Sequence, residues 1–560
     1  MPRLPARLRP MLRVETLLLI VLAWLMATAN GAWWSALGQG RDWREPENWL
    51  LIVCCFTALV GLHFVMLAPL IARRLARPLL SVLVLVTAVA TYYMSYFAVL
   101  LDPTMIQNVL RTDLREANEL LGGSLLAWLL LWCPLPLGFI WLVRLQRLPP
   151  WRAVGIRAAS VLAAVVITLG SVLLVSRDLT SFMRNQKQAR YLITPGNYLY
   201  GLAVNSVHTA ADAHAPRETV APDAHVLQAA FSRPRVLVLV VGETARAANF
   251  SLLGYPRETN PELAKANVVA FSDVTSCGTS TEVSVPCMFS PYGREHYDEH
   301  RIRNSESLLN VLARAGYAVK WLDNQSGCKG VCKGPGIEYE KLGAATAPQL
   351  CQDGECKDEI LVRRLEAELP EVAVNSVFVL HMMGNHGPAY FRRYPREFRR
   401  FLPECATAEL RDCSREAIVN SYDNAILYTD HVLARVIRAL RQDPRGLDSA
   451  MIYLSDHGES LGEHGLYLHG LPHAIAPEVQ THVPLIVWTS PRMNASGDVD
   501  LRCLRGKSHA AWSHDNLFHS VLGLLDVQTG AYRASHDIFD GCRGGSGAAL
   551  ALSVPPAPTR

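Results

Sequence analysis

The stretch Val236-Leu237-Val238-Leu239-Val240-Val241-Gly242-Glu243-Thr244 decides the fold of the larger part of this chain. Its six consecutive apolar residues leave no polar face, the pattern of a strand covered on both sides within a parallel sheet. Two more runs read the same way: Ser376 to Leu380 ends near His381, and Met451 to Leu454 ends in Ser455-Asp456-His457. Helical stretches such as Glu306 to Arg314 and Ala417 to Leu440 lie between them and supply the alternation of a doubly wound α/β sheet. Ligands of such sheets collect beyond the carboxyl ends of the strands, which is where Glu243, Asp456 and His457 stand.

Outward from this sheet, the chain of 560 residues is too long for one ordinary core and requires more than one domain. Half of it is apolar and only 19% is charged, which excludes intrinsic disorder. Five apolar runs, about 16–34, 49–72, 79–101, 121–143 and 156–175, reach or approach the ~20 residues that a helix needs to cross hydrocarbon. Residues 1–175 therefore read as a five-helix transmembrane domain. No small-residue cleavage site follows the first run and four further spans continue the pattern, so that run is expected to stay in the mature protein. This part holds fifteen Arg, no Lys and eight acids, a charge of +7 against −3 for the remainder. An outer domain of that sign is not a nucleic-acid binder with a large basic face.

Arginine placement sets the orientation, because basic residues are retained on the cytoplasmic side. Eleven arginines, including Arg3, Arg13, Arg73, Arg77, Arg144 and Arg157, lie before run one, after run two and after run four, with no acid among them. The alternate loops, 35–48 and 102–120, hold four arginines against seven carboxylates. The N-terminus is thus expected inside and the C-terminal domain outside. In the second outer loop, Asp102-Pro103 reads as a helix N-cap followed by Pro at the first helical position. Ile106, Leu110, Leu114, Ala117 and Leu121 recur at helical spacing and leave Asn108, Thr112 and Glu116 on another face. A surface helix near 103–119 is expected, its polar face either simply solvated or holding a lipid headgroup. Residues 176–234 read as a connecting arm with Tyr191, Tyr198 and Tyr200 as interfacial anchors, 235–543 as the outer domain, and 544–560 as a disordered Gly/Ala/Pro tail.

Cysteine usage fits an oxidising compartment. Cys54, Cys55 and Cys133 fall in the spans and read as small apolar residues; the other ten are outside. Proximity suggests the pairs Cys277–Cys287, Cys328–Cys332, Cys351–Cys356, Cys405–Cys413 and Cys503–Cys542. Their irregular spacing, without interleaved histidines, disfavours a zinc knuckle.

Glu243, Asp456 and His457 offer two carboxylates and an imidazole, donors that suit zinc with a fourth place left for the reacting group. Between them in sequence lies Ser276-Cys277-Gly278-Thr279-Ser280-Thr281-Glu282-Val283-Ser284-Val285-Pro286-Cys287, with Thr281 near its centre. A threonine hydroxyl is almost un-ionised at neutral pH, and a bound dication can make it a nucleophile. The same stretch also reads as a disulfide-stapled turn with Ser/Thr caps, and composition does not choose between the two.

Four motifs carry a resemblance: Val-Gly-Glu-Thr-Ala-Arg from Val241, Ser-Cys-Gly-Thr-Ser-Thr from Ser276, His-Met-Met-Gly-Asn-His-Gly-Pro from His381, and Ser-Asp-His-Gly-Glu-Ser-Leu-Gly-Glu from Ser455. Together with Asp-Pro-Thr-Met-Ile-Gln-Asn-Val-Leu from Asp102 they resemble the lipid A phosphoethanolamine transferases, a family that includes the mobile colistin-resistance enzymes. The resemblance covers nearly the whole chain apart from the arm and the tail. It implies an α/β/α, alkaline-phosphatase-like (sulfatase-type) catalytic domain in the periplasm and a multi-pass anchor in the bacterial inner membrane. It implies one zinc ion on Glu243, Thr281, Asp456 and His457, with a second in some relatives. The formylglycine motif of sulfatases is absent at Thr281, which disfavours sulfate-ester hydrolysis.

The same resemblance places His386 and His469 beside the phosphoryl group, with His381 nearby, and matches Glu459 and Lys329 to headgroup-contacting positions. Gln325 stands where some relatives carry Asn. It implies a two-step transfer: Thr281 takes phosphoethanolamine from phosphatidylethanolamine, and a phosphate of lipid A then takes it from Thr281. The helix around Asn108 and Glu116 is the expected doorway for lipid. A monomer is expected, and the product, carrying an added ammonium, attracts polymyxins and other cationic peptides less. Other acceptors, such as inner-core sugars or membrane-derived glucans, and phosphoglycerol transfer are the alternatives. Arg246 reads as a brace for the helix that follows it more than as a phosphate contact.

Overall fold

The computed structural model describes residues 10–112, 117, 120–186, 188–212, 217–226, 233–352 and 354–544. They form two compact units, Met1–Gln107 with Leu121–Ser206, and Asn108–Leu120 with Val207–Arg560.

The first unit is helical. In chain order it contains α1 (Val14–Thr28), α2 (Gly31–Gly38), α3 (Pro46–Leu67), α4 (Ala76–Tyr96), α5 (Pro103–Arg111, shared with the second unit), α6 (Gly123–Trp132), α7 (Pro134–Leu142), α8 (Pro150–Leu174), α9 (Ser176–Asn185) and α10 (Gly196–Asp212). Three helices, Pro46–Leu70, Ala76–Tyr96 and Pro150–Leu174, are long and apolar enough to span a membrane. Two bent pairs, α1 with α2 at 59° and α6 with α7 at 42°, bring the number to as many as five. The bends have local causes. Pro134 lacks an N–H and so leaves the Leu130 carbonyl without its helical donor, whereas Asn30 turns its buried amide to the Leu25 carbonyl (3.2 Å) and to Thr194, whose amide and carbonyl it engages at 2.7 and 3.0 Å.

The unit packs around a cluster of buried Leu, Val, Ile and Trp side chains, with a small residue at one close approach. A Cβ on Gly61 of α3 would lie 2.2 Å from Thr168 Oγ1 of α8, so only glycine permits that approach. No residue of α8 is buried, as suits a helix facing hydrocarbon. The segments that were expected inside meet at one end: Met11–Leu12 pairs with Arg144–Leu145, and Arg73 and Arg77 donate to the carbonyls of Leu145, Gln146 and Val143. Residues 176–206, expected within a connecting arm, belong to this unit and are mostly helical. The polar composition hid specific contacts: Phe182 is buried, and Tyr198, expected as an interfacial anchor, is buried with its hydroxyl 3.0 Å from Thr87 Oγ1. Asp102 caps α5 as expected, its carboxylate accepting from the Met105 amide at 2.8 Å. Ile106 is buried, but Leu110 of the expected apolar stripe is exposed. Glu116 lies outside the described residues.

The second unit is built on a seven-stranded sheet. Its strands are β1 (Arg235–Gly242), β2 (Val269–Phe271), β3 (Ala318–Asp323), β4 (Ile337–Lys341), β5 (Ser376–His381), β6 (Asp448–Ser455) and β7 (Leu485–Thr489), in the order β2-β7-β6-β1-β5-β3-β4. The three runs read as buried strands are the adjacent parallel β6, β1 and β5. All eight residues of β1 are buried: Leu237, Leu239 and Val241 enter one core, and Val236, Val238 and Val240 the other. Further helices here are α11 (Thr281–Met288), α12 (Leu308–Arg314), α13 (Glu359–Glu368), α14 (Arg415–Gln442) and α15 (Asp515–Leu524). Leucines of α12 and Phe518 and Val521 of α15 line the first core; Ile360 and Leu365 of α13 and Ile418, Ile426 and Leu433 of α14 line the second. This is an α/β/α sandwich. The ten outer cysteines pair as Cys277–Cys287, Cys328–Cys332, Cys351–Cys356, Cys405–Cys413 and Cys503–Cys542, and the three span cysteines stay free and buried. The tail from residue 545 lies outside the described residues.

Candidate active site and metal centre

Strand register brings the distant motifs together. Gly242 of β1 stands opposite Ser455 of β6, so the next residues, Glu243 and Asp456, leave the sheet side by side. The Asp456 amide still donates to the Gly242 carbonyl at 2.9 Å. Thr244, at a φ of +56°, turns back so that its amide donates to Asp456 Oδ1 (3.1 Å) and its hydroxyl to Glu243 Oε1 (2.6 Å). Asp456 Oδ1 also accepts from the His457 amide at 2.7 Å. His457 Nδ1 lies 2.9 Å from the Gly458 carbonyl, which can only accept, so Nδ1 carries the hydrogen. Nε2 is thereby presented to Glu243 Oε1 at 3.4 Å and Asp456 Oδ2 at 3.5 Å.

Thr281 arrives from the other side as the first residue of α11. Its hydroxyl donates to Glu243 Oε2 at 2.9 Å and stands 3.4 Å from His457 Nε2. Several constraints hold it there. The Cys277–Cys287 bond ties the preceding loop to the end of α11, and Ser284 Oγ accepts from the Gly278 amide at 3.0 Å. His514 bridges the loop to β6, accepting from the Cys277 amide at 3.1 Å and meeting the Ser455 carbonyl at 2.9 Å. Pro286 inside α11 donates nothing back to the Glu282 carbonyl, and Arg303 takes that carbonyl instead at 2.8 Å. The helix start also directs its free amides and positive dipole end toward the hydroxyl, a favourable place for phosphate.

Glu243, Asp456 and His457 are each fully buried, and their ligand atoms lie within 4.8 Å of one another. Two carboxylates and an imidazole lone pair converge here, and Asp456 Oδ2 has no hydrogen-bond partner among the described residues. Such a set needs a cation. Without a metal it takes up protons. Burial opposes charge on His457, but Asp456 and Glu243 outweigh it and raise the ring to about 10. Asp456 is pushed up to about 6, first by burial and then by the charge of Glu243. Burial also works to raise Glu243, yet its contacts with His457 hold it well below the usual carboxylate range. The nitrogen and oxygen donors fit a zinc-type ion.

His469 and His386 stand beside this cluster, with ring centroids 4.3 Å from His457 to His469 and 5.7 Å from His386 to His469. Glu459, fully buried, holds His469 Nδ1 at 2.8 Å through one oxygen and accepts from Tyr390 at 2.5 Å through the other. Burial lowers His386 to about 3, and its Nδ1 has no partner among the described residues. The turn that carries it is pinned to β1. Gly384 has a φ of +53°, and a Cβ there would lie 2.6 Å from the Glu243 carbonyl oxygen. Asp358 accepts from the Met383 and Gly384 amides, both at 2.8 Å.

The remaining expected residues are less central. His381 ends β5 fully buried, with Nδ1 2.9 Å from Asp323 Oδ1 and Nε2 unpartnered among the described residues. Lys329 donates to Ser326 Oγ at 2.6 Å and lies 3.9 Å from Glu282 Oε2. Asn108 is half-buried on α5. Gln325 donates to Glu243 Oε2 at 3.2 Å. Arg246 is a brace, donating to the Glu459 carbonyl (3.1 Å) and to Glu463 (2.8 Å). Sequence reasoning missed His514, Tyr390, Asp358 and the Glu282–Arg303 pair. Asp358 stands at the head of α13 and reads as an ordinary cap; the others carry no local signal.

Residues 235–527 match the family model described as Sulfatase, and residues 59–210 that described as Phosphoethanolamine transferase EptA/EptB. The chain is 37% identical over 547 residues to phosphoethanolamine transferase EptA of Escherichia coli K12, covering 96% of this chain and 98% of that one. It is 34% identical over 521 residues to phosphatidylethanolamine transferase Mcr-1 of Escherichia coli, covering 90% and 94%. Its structure resembles the integral membrane protein lipooligosaccharide phosphoethanolamine transferase A from Neisseria meningitidis with a TM-score of 0.88 at 33% identity, covering 95% of this chain and 99% of that one.

Proposed function

The chain belongs to the phosphoethanolamine transferase family, and on that premise we propose that it moves phosphoethanolamine from phosphatidylethanolamine to a phosphate of lipid A, with Thr281 as covalent carrier. The observation that carries this reading is the Thr281 hydroxyl, 2.9 Å from Glu243 and 3.4 Å from His457 at the start of a buried helix. Glu243, Asp456 and His457 would hold one zinc ion with Thr281 beside it; such an ion would lower the pKa of that hydroxyl and offset charge on the phosphoryl oxygens.

The chain's own groups do the rest. Glu243 Oε2 accepts the Thr281 hydrogen bond and so aims the oxygen lone pairs at the donor phosphorus. As the Thr281 Oγ–P bond forms, the hydroxyl proton passes to Glu243 Oε2, and as the P–O bond to diacylglycerol breaks, the leaving oxygen takes a proton from His469 Nε2. Glu459 at Nδ1 orients this ring. In the second half, a lipid A phosphate gives its proton to the same nitrogen and attacks phosphorus, and Thr281 leaves, taking its proton back from Glu243 Oε2. His386, held neutral by burial, hydrogen-bonds the phosphoryl group without competing for that proton. Lys329 adds positive charge for phosphate, and the helix that carries Asn108 is the doorway for lipid.

Residues 1–175 anchor the enzyme in the inner membrane, N-terminus in the cytoplasm and catalytic domain in the periplasm. The gathering of Arg73, Arg77 and Arg144–Leu145 at one end of the helical unit supports this orientation. Both substrates carry acyl chains, so tethering the site to the bilayer makes their encounter local. The enzyme acts as a monomer, and each added ammonium weakens binding of polymyxins. Mass spectrometry of lipid A from cells with and without the protein tests the reading. The expected result is a gain of one phosphoethanolamine on lipid A; a gain on core sugar alone moves the acceptor, and no gain overturns the function.

A further inference from the structure

A cavity of about 470 Å³ opens beside α11 within the second unit, in the size range of small-ligand sites, ~300–1,000 Å³. Glu282, Pro286 and Phe289 form one wall, so it begins one residue after Thr281. Five cations line it: Arg111, Arg217, Arg303, Lys329 and Lys333. Only two lining residues are acids, and neither is open. Glu282 is almost completely buried and is contacted by Arg111, Arg303 and Lys329 together. Glu306 is taken by Arg314 at 2.5 Å. At the far side, Lys333 is exposed with no acid partner among the described residues, and the buried Nε of Arg217 has no hydrogen-bond partner. Ser290, Ser305, Ser307 and Ser326 complete the lining with hydroxyls.

Three surplus positive charges with hydroxyls between them match a multiply charged anion on a polyol. A zwitterionic phospholipid headgroup matches poorly, because both acids that might meet its ammonium already hold cations. Resting on the transferase reading above, we propose that this cavity seats the acceptor, a phosphomonoester carried on a sugar, through Arg217, Arg303 and Lys333. Arg303 is anchored by Glu299 and Glu282, and Arg217 is tied to the Lys333 segment by donating to the Lys333 carbonyl.

The two half-reactions separate this subsite from the donor site. The full chain in detergent, with Lys333→Gln and Arg217→Gln variants, is assayed for diacylglycerol release from phosphatidylethanolamine and for transfer onto a lipid-linked glucosamine 1-phosphate acceptor over a range of acceptor concentrations. Each variant is expected to raise the acceptor KM about tenfold or more, the worth of one charge-assisted hydrogen bond, with a much smaller change in diacylglycerol release. Soluble glucosamine 1-phosphate is expected to compete with acceptor and not with donor. An unchanged acceptor KM overturns the proposal, and an equal fall in both half-reactions assigns the cavity to the donor instead. If the unsubstituted protein releases no diacylglycerol at all, the transferase reading fails, and this inference with it.

Discussion

Removing metal from the catalytic unit should leave protons in its place, and their release on reloading measures the site. In the metal-free cluster His457 is raised to about 10, its carboxylate neighbours outweighing burial, and Asp456 to about 6 by burial and by Glu243. At pH 7 His457 is therefore charged and Asp456 mostly ionised. Zinc binds only the neutral imidazole and the ionised carboxylate, so each ion displaces at least one proton, the one on His457. Affinity should rise at least about tenfold per pH unit between pH 6 and 10, and about a hundredfold per unit below 6, where Asp456 must also give up a proton. Acid thus expels the ion. The same shifts govern the metal-free protein. The His457 contribution to stability is complete below its ordinary 6.5 and is lost as pH rises through 10, and that of Asp456 is lost between 3.8 and 6. Alkali should weaken the stripped protein, and zinc should reverse this. Titration calorimetry of chelator-stripped full chain in two buffers of different ionisation enthalpy counts the protons. Release near zero at pH 7, or an affinity flat between pH 6 and 8, refutes the cluster as the metal site.

Three other outcomes are expected. Thr281→Ala should lower turnover by at least about 10³-fold and abolish the phosphoethanolamine adduct seen by intact-protein mass spectrometry, whereas a fully active variant refutes the nucleophile. Glu459→Gln leaves His469 without its carboxylate and should cost about 10- to 100-fold in kcat, with zinc content unchanged by elemental analysis; an unaffected kcat removes His469 from proton transfer. Opening Cys277–Cys287, ten residues apart, should cost about 2.7 kcal/mol, and opening Cys503–Cys542, thirty-nine apart, about 3.9 kcal/mol. Denaturant titration should rank them in that order while turnover ranks them in reverse, because only the first holds the loop of Thr281; equal turnover in both variants contradicts this.

The legible parts of this protein are those where a local pattern has one physical meaning. A run apolar on both faces, such as 236–241, must be covered on both sides, and that alone places the strand centrally and Glu243 at its end. Asp102-Pro103 begins a helix because its cap and its fixed φ act within one turn. The arm at 176–206 is polar in composition, yet its Tyr198 and Thr194 find partners more than one hundred positions away, which no local pattern announces. The bend at Asn30 was hidden for the same reason.

Element type, the number of apolar runs and the candidate metal donors thus follow from the order of residues, since periodicity and side-chain chemistry are local properties. Tertiary structure alone decides that Glu243 and Asp456 emerge side by side, that His514 fastens the loop before Thr281 to β6, that Glu459 meets His469, and that Arg217, Arg303 and Lys333 line one cavity. Each of these depends on which segments become neighbours when two hydrophobic cores close on the faces of one sheet, and that neighbourhood is a property of the whole chain.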